Sequence, residues 1–113
     1  MLVLLMLAAC TRSISLTVAP QTLNVLVYAD GKVAQHCRLH ADSDKFRKLN
    51  DLLKQSADGW HKRLSHYSPQ LLVVGSDISL GFMGDSVVVN YDGGEYAHSV
   101  SPGAYAFLAC KAP

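Results

Sequence analysis

The dipeptide Asp30-Gly31 constrains the fold of this chain more than any other feature of its sequence. Asp-Gly between two apolar runs is the strongest short signal for a β-hairpin, because a type I′ turn needs positive φ at both positions. Residues 23–28 and 33–40 flank the dipeptide as such runs. The sequence therefore predicts two paired antiparallel strands. Alternation in the second strand places three residues on the side that faces solvent, namely His36, Arg38 and His40.

An amphipathic helix is predicted directly after the hairpin. Asp42 or Ser43 can accept hydrogen bonds from the free N–H groups of a first helical turn. Apolar residues then recur at spacings of three and four, which gives one apolar stripe. Asp58-Gly59 is predicted to end the helix, since glycine adopts the left-handed conformation of a C-cap. The stripe consists of Phe46, Leu49, Leu52 and Leu53, with Ala57 and Trp60 as a possible extension.

The rest of the chain is predicted to form short strands. Residues 14–18 alternate before Pro20, and turn residues separate several apolar runs after the helix. The interval 60–70 has no clear pattern. We expect an α+β fold, with an antiparallel sheet of about five to seven strands and one main helix packed on it, in the order ββ(β)-α-ββββ. The later runs are 71–74, 78–83, 86–91 and 96–100, followed by 105–110 as a strand or short helix.

Length and charge limit the possible functions. A chain of 113 residues corresponds to one domain. Its formal net charge of +1 lacks the basic excess that phosphate backbones require, so we expect no nucleic-acid partner. No apolar run approaches the roughly 18 residues of a membrane-spanning helix.

The first ten residues have the pattern of a processing signal. Bulky apolar residues lead into Leu7-Ala8-Ala9-Cys10, and the chain turns polar at Thr11. This stretch resembles the lipobox of bacterial lipoproteins, in which a lipidated cysteine becomes the mature N-terminus. The alternative is a buried N-terminal strand in which Cys10 is a core residue.

The resemblance implies how the chain is divided and where it works. Residues 1–9 would be a signal peptide, 10–13 a lipidated N-terminus with a short tether, and 14–113 a single α+β domain. A lipid on Cys10 would anchor the domain in the bacterial cell envelope, facing the periplasm. The family's signal for retention in the inner membrane is Asp after the cysteine. Thr11 at that position indicates the outer membrane.

Export would leave Cys37 and Cys110 as an even pair in an oxidising compartment. A disulfide between them would join the second strand of the hairpin to the C-terminal segment. Closing so long a loop stabilises a fold by about 4 kcal/mol, less any strain. The alternative is two buried thiols that never meet.

No group of residues indicates catalysis, a metal or a cofactor. His36 and His40 surround Cys37, but residues four apart on a strand are separated by about 13 Å and cannot hold one ion. His61 and His66 are five apart, which is not the spacing of ligands on one helix face. No nucleophile and base stand at a usable spacing, so we expect that the protein is not an enzyme.

Charge is distributed unevenly along the chain. Residues 45–63 carry six basic against two acidic side chains, a local net charge of +4. Such a surface can meet anionic lipid, peptidoglycan or an acidic protein, although a solvated helix face is the ordinary alternative. The candidate binding-surface residues are Lys45, Arg47, Lys48, Lys54, Trp60, Lys62, Arg63 and Tyr67.

These observations predict a small lipid-anchored envelope lipoprotein that works by binding another envelope protein. An inhibitor, an immunity factor or an accessory subunit of an assembly would fit. The alternative is a module that binds a small molecule or a glycan between helix and sheet. An enzyme of unrecognised type is the third possibility.

Overall fold

One antiparallel sheet, crossed by an α-helix, is built from the residues that the computed structural model describes, which are 11–62, 68–91 and 93–110. The helix α1 spans Asp44–Gln55, and a 3₁₀ turn spans Ala106–Leu108. The strands are β1 Thr11–Arg12, β2 Leu23–Ala29, β3 Lys32–Leu39, β4 Trp60–Lys62, β5 Leu71–Val74, β6 Ser79–Phe82, β7 Ser86–Tyr91 and β8 Gly94–Ser99.

The strands lie side by side in the order β1-β4-β8-β7-β6-β5-β2-β3. Strands β5 to β8 form a meander in which each strand pairs with the next. Strand β2 pairs with β5 on one side and with β3 on the other. The predicted α+β class, with an antiparallel sheet and one main helix, is therefore confirmed.

The predicted order of elements is wrong in detail. Residues 14–18 form no strand, and β1 and β4 were not predicted because two or three residues carry no period. Segment 105–110 contains the 3₁₀ turn, which agrees with the short-helix alternative. The undecided interval begins with β4, which lies between β1 and β8.

The Asp30-Gly31 turn joins β2 to β3 as its sequence predicts. Both residues have positive φ, 54° and 76°, as a type I′ turn requires. A register irregularity lies between Val27 and Tyr28, so that Val27 pairs with Gln35 and Tyr28 with Val33. One extra residue in β3 increases the local twist of this hairpin.

Helix α1 covers one face of the sheet. Its stripe residues Phe46, Leu49 and Leu53 are buried, and they meet the inward side chains of the strands. Ser43 is the N-cap and accepts a hydrogen bond from the N–H of Phe46. The helix ends at Gln55 with Ser56 as C-cap, four residues earlier than Gly59. The buried strand residues include Leu23, Val25, Val73, Leu80, Val87 and Val89.

Two irregular segments lie along opposite flanks of α1. In the first segment, residues 14–18, the side chains of Ile14, Leu16 and Val18 are buried. The backbone of this segment forms hydrogen bonds with the helix and with the residues that follow it. The N–H of Ile14 donates to the carbonyl of Ala57 at 2.8 Å, and Val18 is bonded by the side chain of Asn50. The alternation correctly predicted which side chains of this segment are buried, but the prediction that the segment is a strand is wrong.

The C-terminal segment lies along the other flank. Tyr105 and Leu108 are buried, and Lys48 of α1 places its Nζ 4.4 Å from the centre of the Phe107 ring. Cys110 forms a disulfide with Cys37, and their Cα atoms are 5.8 Å apart. The predicted disulfide is therefore present, and it fixes the end of this segment to β3.

Candidate functional site

The basic residues of the helix do not form one continuous cationic face. Arg47 forms an ion pair with Asp44, and Lys48 is engaged with the Phe107 ring. At 100° per residue, Arg47 and Lys54 share one side of the helix, whereas Lys45 and Lys48 lie on another. The groove beside Arg47 and Lys54 also has acidic residues in its lining, Asp42 and Asp51. The described basic residues of the helix are thus divided over several surfaces.

Trp60 is a core residue and lies on no binding surface. Its side chain is 0% exposed, and its indole Nε1 donates to the carbonyl of Ser56 at 2.5 Å. The neighbouring Lys62 is exposed. Arg63 and Tyr67 lie outside the residues that the structure describes, as do Cys10 and the predicted signal peptide, residues 1–9.

His98 connects the loop after the helix to the sheet. Its Nε2 lies 2.5 Å from the carbonyl of Asp58, and its Nδ1 lies 2.6 Å from the carbonyl of Ser99. Its ring also meets the Trp60 ring edge-on, with centroids 5.1 Å apart. Both ring nitrogens therefore face backbone oxygens, and the residue acts as a structural bridge.

The other described histidines are separated from one another. His36 lies on β3 with Nε2 3.0 Å from the side-chain oxygen of Asn24, and Cys37 is used by the disulfide. His61 is exposed on β4, which lies near the other end of the strand order from β3. Within the described ranges, no three His, Cys, Asp or Glu side chains are grouped to hold a metal ion.

A small apolar pocket opens beneath the C-terminal segment. Its volume is about 240 Å³. Val27, Leu71, Phe82 and Tyr105 form apolar walls, and the Phe82 and Tyr105 rings lie 4.4 Å apart. The other lining residues include Gln70, Gly84, Ser86, Val100 and Gly103.

The Tyr105 hydroxyl is buried without a hydrogen-bond partner. Burial raises the pKa of this phenol above its ordinary value of 10.0, because the charged phenolate loses its water. The nearby Ser56 hydroxyl lowers the pKa of Tyr105, although the geometry between the two hydroxyls falls short of a hydrogen bond. The side chain therefore serves as an uncharged, apolar wall.

Strand β3 forms one end of the sheet, and no described strand pairs with its outer side. Five of its eight residues are exposed, and the Val33 side chain is 52% exposed. Cys37 faces the helix side with Val25, so the neighbouring His36 and Arg38 face the opposite, solvent side. The prediction that His36 and Arg38 face solvent agrees with this exposure.

The outer side of β3 is an edge at which another chain can pair through its backbone. An exposed edge strand presents a row of N–H and C=O groups that another extended chain can bond. No acidic residue occurs between Gly31 and Ala41, whereas Lys32 and Arg38 are cationic. Within the described part of the chain, no ion pair involves Arg38.

Comparison with known proteins found no matching family model, no matching curated protein and no matching solved structure. Among the described residues, no helix is long and apolar enough to cross a membrane.

The β3 edge and the pocket were not predicted as sites. The hairpin was evident in the sequence, but its place at the end of the sheet depends on β2 pairing with β5 far along the chain. Pocket residues come from four strands and the C-terminal segment, which are distant in the sequence, and Gly84-Asp85-Ser86 has the composition of a turn. The one available signal for the edge was the run of exposed basic and histidine side chains in β3.

Proposed function

We propose that this chain is a small lipid-anchored lipoprotein of the bacterial envelope that binds another envelope protein, as an inhibitor, immunity or assembly-accessory factor. The observation that carries the proposal is the exposed outer edge of β3. Backbone groups along such an edge give affinity for an extended segment, and flanking side chains give specificity.

The lipid anchor rests on Leu7-Ala8-Ala9-Cys10 and its resemblance to a lipobox. The disulfide between Cys37 and Cys110 supports an exported location, since such bonds persist in oxidising compartments. Thr11 after the cysteine favours the outer membrane. A periplasm-facing domain would then meet its partner while tethered.

The anchor is tested by changing Cys10→Ser in the full chain and expressing both forms in a bacterial host. The wild-type protein is expected in the membrane fraction with a lipidated N-terminus at Cys10, and the variant in the soluble envelope fraction. Mass spectrometry of the N-terminus gives the second readout. An unprocessed N-terminus in the wild-type protein would contradict the proposal.

Protein binding is tested by cross-linking the tagged full chain in envelope extract and identifying captured proteins. We expect one partner in stoichiometric amount. The charge-reversal variant Arg38→Glu tests the edge, and Arg47→Glu on the helix is the matched control. Capture that is lost only with Arg38→Glu supports binding through β3. The absence of any stoichiometric partner contradicts a protein-binding function.

The pocket beneath Tyr105 supports a second candidate, a module that binds a small apolar molecule. Its volume of about 240 Å³ is below the range of about 300–1,000 Å³ that is usual for ligand sites, so only a fragment-sized ligand fits. Benzyl alcohol is a suitable probe because it offers one ring and one hydroxyl. A rise in Tm with the probe, lost when Val100→Phe fills the pocket, would favour this function.

A further inference from the structure

From the β3 edge we infer the chemistry of the partner, on the basis of the proposed protein-binding function. The partner presents an extended, acidic segment that pairs with the outer side of β3 and continues the sheet. Its acidic side chains alternate along the segment and lie opposite His36 and Arg38. The occupant is thus a strand of another protein and not a second copy of this chain.

The length of β3 suits such an addition. Residues Lys32–Leu39 form an eight-residue strand, whereas strands average about five to six residues. In an antiparallel pair, alternate residues direct their N–H and C=O groups to one neighbour. One side of β3 bonds to β2, so the groups on its other side are directed outward, regularly from Gln35 to Leu39 and with one irregularity before Gln35.

Charge specifies the acidic partner. Lys32 and Arg38 carry positive charge, and residues 31–41 include no Asp or Glu. Opposed side chains on neighbouring strands have their Cβ atoms about 4.5–5.5 Å apart, close enough for charge pairs. His36 and Arg38 are two residues apart and share the open face of the sheet. Carboxylates at every second residue of an added strand would lie opposite them.

The same charges oppose self-association. A second copy would bring two identical cationic strands together, and like charges across a strand pair are destabilising. Lysine side chains and a bulge are common devices that keep edge strands from pairing with themselves. Strand β3 has both, Lys32 and the irregularity opposite Val27 and Tyr28. The lysine charge does not oppose a strand of opposite charge, and the regular register from Gln35 to Leu39 leaves that part of the edge available to it.

The edge is also held rigidly before binding. Its inner side is paired with β2 along its length, and Cys37 is joined covalently to Cys110. A preordered edge reduces the conformational entropy that is lost when a partner strand binds.

The test uses the full chain and a synthetic fluorescent peptide with Glu and Val alternating, of about the same length as the eight-residue β3. Fluorescence anisotropy gives its Kd, and a peptide with Lys in place of Glu is the charge control. We expect saturable binding of the Glu peptide and none of the Lys peptide. Arg38→Gln should weaken binding by up to about fivefold, the range of a cross-strand charge pair. Arg47→Gln on the helix should leave the Kd unchanged.

Single N-methyl groups along the peptide distinguish strand addition from simple charge attraction. Methylation of the N–H groups that face β3 should weaken binding at least tenfold, whereas methylation of the alternate groups should have no effect. No binding of the Glu peptide, or equal weakening at every position, would overturn the inference. A natural partner captured equally by wild type and Arg38→Glu would also overturn it, while the proposed protein-binding function would stand.

Discussion

The side-chain amide of Asn50 bonds both backbone groups of Val18. Its oxygen accepts from the Val18 N–H at 2.8 Å, and its nitrogen donates to the Val18 carbonyl at 3.2 Å. A neighbouring strand would supply the same two bonds. The Asn50 side chain thus satisfies the backbone of one buried residue that would otherwise need a sheet edge. Together with the bond from Ile14 to the Ala57 carbonyl, it holds residues 14–18 beside the helix without a strand.

Removing this amide is expected to detach the segment from the helix. Asn50→Ala leaves both groups of Val18 without a partner, and we expect a loss of about 1–3 kcal/mol in the free energy of unfolding. Urea denaturation measures it, and Gln55→Ala at an exposed helix position is the control. A loss no larger than that of Gln55→Ala would show that water replaces the amide.

Asn50→Asp tests the two bonds separately. At neutral pH the carboxylate can accept from the Val18 N–H but cannot donate to the carbonyl, so we expect destabilisation. Below about pH 4 the protonated carboxyl regains a donor, and the difference from wild type should shrink. A difference that does not change between pH 7 and pH 3.5 would contradict the paired arrangement.

The disulfide should stabilise the folded protein mainly because it closes a long loop in the unfolded chain. Cys37 and Cys110 are separated by 73 positions, and loss of such a bond costs about 4 kcal/mol. The variants Cys37→Ala and Cys110→Ala should each lose this amount. The double variant should lose little more, because both changes remove the same bond. Additive losses in urea denaturation would contradict this, and wild type in reductant should resemble the double variant.

Local patterns predicted the elements whose sequence signals are local. The Asp30-Gly31 turn fixes the hairpin through its backbone, and the Phe46–Leu53 stripe fixes the helix through its period. Trp60 was expected to extend that stripe, but Ser56 ends the helix, and Trp60 enters a three-residue strand that pairs with β1 and β8. Tertiary pairing decided its position, and three residues are too few to show a period.

The candidate site depends on long-range order, which a single sequence does not express. Strand β3 becomes an edge only because β2 takes β5 as its other neighbour. The pocket forms only because the disulfide and the buried Leu108 hold the C-terminal segment over the sheet. The cysteine pair could be predicted because the lipobox resemblance implies an oxidising compartment, in which an even pair of cysteines is expected to bond.

Tyr105→Phe should stabilise the protein or leave it unchanged. The phenol oxygen is buried without a partner, so its removal relieves a desolvation cost of about 1–3 kcal/mol. The packing contacts of the removed oxygen are lost at the same time and offset part of this gain. Thermal unfolding at pH 7 checks this. A clear fall in Tm would indicate a hydrogen bond to Ser56, and Ser56→Ala would then show the same fall.

The same residue should make stability depend on alkaline pH. Burial raises the folded-state pKa of Tyr105 above 10.0, so above pH 10 the unfolded chain releases this proton more readily than the folded chain. Stability is therefore fully present below pH 10 and falls as the pH rises towards the folded-state pKa. In Tyr105→Phe this part of the fall should be absent. Identical alkaline profiles for the two proteins would contradict the raised pKa.

Two glycines with positive φ should respond differently to alanine. Gly31 has φ of 76° and open space around its Cβ position, so Gly31→Ala meets only backbone strain of about 1–2 kcal/mol. Gly59 has φ of 91°, and an added Cβ would lie 3.3 Å from Nε2 of His98. Gly59→Ala should therefore cost the same strain and also disturb the contact between His98 and the Asp58 carbonyl.

Urea denaturation of both alanine variants, alone and combined with His98→Phe, separates the two effects. The cost of Gly31→Ala should be the same with or without His98, because the two sites are distant and share no partner. The cost of Gly59→Ala should be smaller in the His98→Phe background, since the bridge that it disturbs is already lost. Equal costs in both backgrounds would mean that Gly59 is needed only for its backbone conformation, and that His98 tolerates a methyl group beside its ring.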